Sequence, residues 1–131
     1  MLVPAGVLVL VTLAAITVDS ALVFLAERQL ADAAAAAAND AVAAALDDAA
    51  FYEHGEVSID PGRATEVAAA AVDARSADWL RPVELTRVDV DADRPAVTVE
   101  LRASVRRLFG RALPGVSDRV PVGATATAVL E

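Results

Sequence analysis

The most metal-like spacing in the chain is acidic. Asp89, Asp91 and Asp93 alternate, and Glu100 lies eleven residues beyond Asp89. That mimics part of a calcium-binding loop, which draws oxygen ligands from alternate positions and closes on a glutamate. The position where such a loop demands glycine is Arg94, and the flanking segments read as strands rather than helices. A solvated hairpin tip is therefore the expected state of these acids. His54 is the only histidine, so no histidine cluster can hold a metal. There are no cysteines, which removes disulfides, thiol catalysis and thiolate zinc sites. Ser76, Ser104 and Ser117 have no neighbouring histidine in sequence. Asp47 and Asp48 are adjacent on a helix, so they point apart and make a poor acid–base pair. No glycine-rich phosphate loop is present. The expectation is a protein without a catalytic constellation, a cofactor or a bound metal.

The remaining chemically pointed residue is Asp19. It stands alone in an apolar run from Leu2 to Ala26, rich in Leu, Val and Ala. About 20 apolar residues span a bilayer, and an aspartate at mid-span costs about 2.5–3.5 kcal/mol on insertion scales, less near an interface. Asp19 is either hydrated near the outer interface or paired with a donor on a neighbouring helix. The second reading is preferred, and it makes Asp19 an expected partner contact within the membrane helix.

The run itself has three readings. A cleaved signal peptide needs a basic n-region and a shorter apolar core; no Lys or Arg precedes this one. A core helix apolar all round needs a large protein about it, and this chain has 131 residues. A membrane span is left, with Pro4 tolerated in its first turn. Residues 27 to 60 hold eight acids and one arginine, Arg28. Basic flanks stay in the cytoplasm, so the N-terminus is expected inside and the body outside. The net charge is -8, with a mean hydropathy of +0.49. An acidic body argues against nucleic acid, which needs a basic footprint. It argues equally against docking on anionic lipid headgroups.

From Glu27 to Tyr52 there is no Gly or Pro, and alanine is the best helix former. One helix is expected from about Pro4 to about Glu53, stopped near Gly55, roughly 75 Å long. Residues 1–26 are then the transmembrane segment, 27–54 a helical stalk, and 55–131 an extracytoplasmic α+β domain. Asp32, Asp40 and Asp47 form one wet stripe on the stalk. Leu30, Val42 and Leu46 lie away from it, on a packing face whose alanines admit a close neighbour. That face packs on the chain's own domain, on neighbouring copies or partners, or on both.

In the domain, EVSID (56–60) is a candidate short strand. A helix follows from about Arg63 to Arg75, with Val67, Ala71 and Ala74 inward and Trp79 as a core anchor. From Val83 the apolar period becomes two. VELTRVDV is one strand, with a phase slip near Arg87 that suggests a bulge. DADRP (91–95) is a turn. Val97, Val99, Leu101, Ala103 and Val105 form the inner face of a second strand. After the loop LFGRALPG (108–115), a third strand runs from about Arg119 to Leu130, with Val120, Val122, Ala124, Ala126 and Ala128 inward. The fold class is α+β: a small antiparallel sheet of three to four strands, with one face covered by helices.

The order of parts is similar to that of type IV pilin subunits: apolar helix, amphipathic continuation, small outer sheet. TVDSALVFLAERQLADAAAAAA (17–38) resembles the N-terminal helix of TadE/TadG-like proteins of the Tad (Flp) pilus system. Val18 and Asp19, Arg28 to Leu30, and Ala33 to Ala38 occupy the matching positions. VTVELRAS, an LPG connection and the ending VGATATAVLE resemble that family's closing strands. The resemblance covers most of the chain and is weakest over the middle helix. It implies a minor pilin or pseudopilin in pilus assembly or a related secretion machine. Its partners would be the lipid bilayer and other pilin-like or Tad inner-membrane subunits, with no nucleic acid, no small-molecule substrate and no enzymatic activity. In one respect the chain departs from the family: no basic leader with a prepilin-peptidase site is found before the run, so either the true start lies upstream of Met1 or processing does not apply, and cleavage is not predicted.

Overall fold

The computed structural model describes residues 2–45, 58–91, 93–110 and 115–130. Helix α1 spans Leu2–Ala44 and helix α2 spans Pro61–Arg75. A 3-10 turn, Asp78–Leu80, leads into strands β1 (Glu84–Asp91), β2 (Ala96–Arg106) and β3 (Arg119–Val129). The strands form one antiparallel sheet in the order β1-β2-β3. The expected α+β architecture is present: a long apolar N-terminal helix, a second helix and a three-stranded sheet.

α1 changes character along its length. From Val3 to Ala14 every side chain is exposed. From Ala15 one stripe becomes covered, first partly at Ala15, Asp19, Leu22 and Val23, then fully from Ala26 to Ala45. The spacing of three and four is that of a single helix face. Leu30 and Val42 are buried in this stripe, as expected of the packing face, and alanines supply nearly all the rest. Alanine brings little apolar area, about 0.8 kcal/mol per methyl-sized group. Its value is close approach: along this stripe α1 packs against β2, β3 and α2.

α1 ends at Ala44, nine residues short of the expected end at Glu53. Ala45 leaves the helix, and its carbonyl accepts the N–H of Asp60 (2.9 Å), so the chain's return to α2 fixes the stop. Leu46, Asp47, His54 and Gly55 lie outside the described residues. Of the segment 56–60, Ile59 forms an isolated β-bridge and is buried.

Asp60 caps α2: its Oδ1 accepts from the N–H groups of Gly62 (2.8 Å) and Arg63 (3.3 Å), and Pro61 occupies the first turn. The inner face of α2 is Ala64, Ala68, Ala71 and Val72, with Val67 partly covered. Ala74, expected inward, is exposed. Trp79 is also a correction: it is 49% exposed, and its neighbour Leu80, at 2%, is the anchor. The 3-10 turn rotates successive side chains by about 120°, so a shift of one residue exchanges core for solvent.

The sheet follows its alternation. Val97, Val99 and Leu101 are fully buried, and Val105 nearly so. β1 carries a register shift between Leu85 and Arg87, which is the expected bulge; Thr86 turns its hydroxyl onto the Glu100 carbonyl (3.0 Å). The outer face is polar, with Thr98 and Thr127 sharing a hydrogen bond across β2 and β3 at 2.8 Å. Among the described residues, no polar or charged side chain is buried.

Candidate functional site

The chemistry of the apolar half of α1 lies in four polar side chains. Thr12, Thr17 and Ser20 each donate to the carbonyl four residues earlier, at 2.9, 2.9 and 2.8 Å. These hydroxyls are therefore satisfied within the helix, as an apolar surrounding requires. Asp19 cannot do this, because a carboxylate only accepts and the neighbouring N–H groups are already used.

Its donors come from the far end of the sequence. Asp19 Oδ1 accepts the N–H of Leu108 at 2.9 Å, and the N–H of Phe109 lies 3.3 Å from both Oδ1 and Oδ2. Leu108 and Phe109 belong to the connection between β2 and β3, which folds back onto α1. Asp19 is on the covered stripe, half-buried, so the carboxylate faces this connection. Successive backbone N–H groups aimed at one anion form a small anion-binding nest, and hydrogen bonds to an ionised acceptor are the stronger kind.

Two glycines shape the connection. Gly110 is buried, and a Cβ there would lie 2.9 Å from the Cβ of Arg107, so only glycine lets the arginine stem pass. Gly115 has φ of +85°, the left-handed region that side chains disfavour. A cleft of about 400 Å³ runs between α1 and this connection, walled by Ile16, Asp19, Ser20, Val23, Arg107 and Val116.

Asp19, expected to meet a donor on a neighbouring helix, thus has two donors within its own chain. Leu30 and Val42 pack inside the same chain; Leu46 lies outside the described residues. On the stalk's wet stripe Asp32 is exposed and Asp40, its side chain 43% exposed, pairs with Arg75 of α2 at 2.9 Å; Asp47 lies outside the described residues. The acids of the β1–β2 hairpin take local partners. Asp89 pairs with Arg87 at 3.3 Å, and Asp91 Oδ1 accepts from the N–H groups of Asp93 (2.9 Å) and Arg94 (3.3 Å). Asp91 is a turn cap, as its place before a tight turn favours.

The partners of Asp19 were invisible in the sequence. Leu108 and Phe109 contribute backbone groups, and no residue type advertises an available N–H. The only signal was indirect: two large apolar residues in a loop between two polar-faced strands.

No protein-family model, curated protein or solved structure matches the chain. α1 is long and apolar enough to cross a membrane, and the apolar half of it is not buried by the rest of the chain.

Proposed function

We propose that the chain is a single-pass membrane protein acting as a structural or assembly component, a minor pilin or pseudopilin, of a Tad-type pilus or related secretion system. The observation that carries this reading is the division of α1. One continuous helix presents an uncovered apolar half and then a half that forms the core of a small α+β domain, which is the layout the family resemblance implies. Satisfied hydroxyls in the apolar half support the membrane setting. The acid-rich flank after Ala26 supports an N-terminus in the cytoplasm and a domain outside it. The role is one of packing rather than catalysis, with partners among other pilin-like or Tad membrane subunits.

A second reading has an observation in its favour. Asp19 and the Leu30–Val42 face are both engaged within the chain, which suits a membrane-tethered binding module working without pilus partners. Site-specific photo-crosslinking in the native cell separates the two, with the probe at Val18 or Ser20, both exposed on α1 beside Asp19. Adducts to another pilin-like or Tad-type subunit are the expected result. Adducts to lipid alone, at both positions, would refute the assembly role.

A further inference from the structure

We propose that the described residues of the β2–β3 connection, 107–110 with 115–118, form a second membrane contact. Clipped to α1 by Asp19, the connection seats Leu108 and Phe109 in the interfacial layer of an anionic bilayer, with Arg106 and Arg107 on lipid phosphates. The proposal rests on the membrane-spanning reading of α1.

Depth is the first argument. The first charged flank of the apolar run is Glu27, and Asp19 lies eight residues before it. At 1.5 Å per residue the clip is about 12 Å deeper along the helix than that flank. At this level the uncovered side of α1 is still apolar, with Val18, Phe24 and Leu25 each 42% to 63% exposed. The connection therefore meets the helix where the helix itself faces lipid.

The connection is built for that position. Leu108 and Phe109 are 63% and 44% exposed, and Val116 is 36%. They extend the apolar surface of α1 sideways rather than standing as isolated residues. Lipid-exposed non-helical backbone does not occur in the hydrocarbon region, so the connection lies in the interfacial layer, where the Asp19 carboxylate accepts from the N–H groups of Leu108 and Phe109. The same bonds explain why a carboxylate interrupts the apolar run.

Charge supplies the third argument. Arg106 and Arg107 precede the apolar pair, and neither guanidinium forms an ion pair with a described residue. Long arginine stems lie along apolar surface while the heads reach headgroup level. Asp89, Asp91 and Asp93 sit at or beside the opposite, hairpin end of the sheet. The net charge of -8 thus misleads about lipid binding, because the end facing the bilayer carries the arginine pair.

The chain has no native cysteine, so single cysteines can carry nitroxide labels in the full-length protein. Leu108→Cys reports the connection, Val11→Cys the apolar helix, and Asp93→Cys the far hairpin. Val116→Cys is a second reporter of the connection should the first variant fold poorly. Bilayers of phosphatidylcholine with phosphatidylglycerol are compared with phosphatidylcholine alone, reading collision with oxygen and with a water-soluble nickel chelate. The expected result is oxygen-rich, nickel-poor collision at Val11 and Leu108, and the reverse at Asp93. Each arginine near an anionic surface is worth about fivefold, so Arg106→Gln with Arg107→Gln lowers the docked-to-free ratio about twenty-fivefold in the anionic bilayer. A lipidic Val11 with an aqueous Leu108 overturns the docking and leaves the span standing. An aqueous Val11 overturns both. Low collision with both reagents at Leu108, with dipolar broadening between labels, would assign the surface to a second copy and overturn the lipid contact.

Discussion

Replacing Asp19 with alanine removes the sole acceptor that the described structure offers to the N–H groups of Leu108 and Phe109. Hydrogen bonds to a charged acceptor contribute about 1.5–3 kcal/mol each. Only the Leu108 bond, at 2.9 Å, has good length; Phe109 shares its N–H between two oxygens at 3.3 Å. Asp19 is half-buried and both donors lie in exposed residues, which argues for the low end. A loss of about 2 kcal/mol in closing the connection onto α1 follows. Local opening governs amide exchange, and 1.4 kcal/mol is a factor of ten, so exchange at Leu108 should quicken about thirtyfold. Hydrogen exchange on the full-length protein in bilayer discs reads this directly. Amides of β2, such as Val99, should change far less, because the clip lies outside the sheet ladder. Asp19→Asn retains one acceptor oxygen without the charge and should fall between wild type and alanine. Unchanged protection of Leu108 and Phe109 in Asp19→Ala would refute the clip and the account of the half-buried carboxylate. Equal loss in β2 would show a general loss of fold instead.

Two further outcomes test the packing. Leu80→Ala should cost about 2–5 kcal/mol in denaturant unfolding, as buried leucines do, whereas Trp79→Ala, half exposed, should cost clearly less; the reverse order would return Trp79 to the core. Asp60→Ala should cost about 1 kcal/mol by loss of the α2 cap, read by the same unfolding measurement, and no change would mean that the capping bonds to Gly62 and Arg63 contribute nothing.

The sequence by itself determined whatever depends on local period and composition. Two-residue alternation places Val97, Val99 and Leu101 inward because a strand offers only two faces. The phase slip at Arg87 marks the bulge because an extra residue shows directly in that alternation. An unbroken alanine-rich stretch makes α1 continuous, and three- and four-residue spacing puts Leu30 and Val42 on one face. Tertiary structure decided matters whose causes lie far apart in the chain. α1 stops at Ala44 because residue 60 returns to bond the Ala45 carbonyl, a contact with no local marker. Asp40 keeps its place on the wet stripe, but only the fold brings Arg75 of another helix to it. Leu80 took the anchoring role expected of Trp79 because one tight turn sets which of two adjacent apolar residues faces the core. Asp19 is the clearest case. Its isolation in an apolar run shows that a carboxylate there needs a donor, but the donors are backbone N–H groups 89 and 90 residues away. Only the fold brings them within 3.3 Å, because every residue but proline carries that group and none announces where it will point.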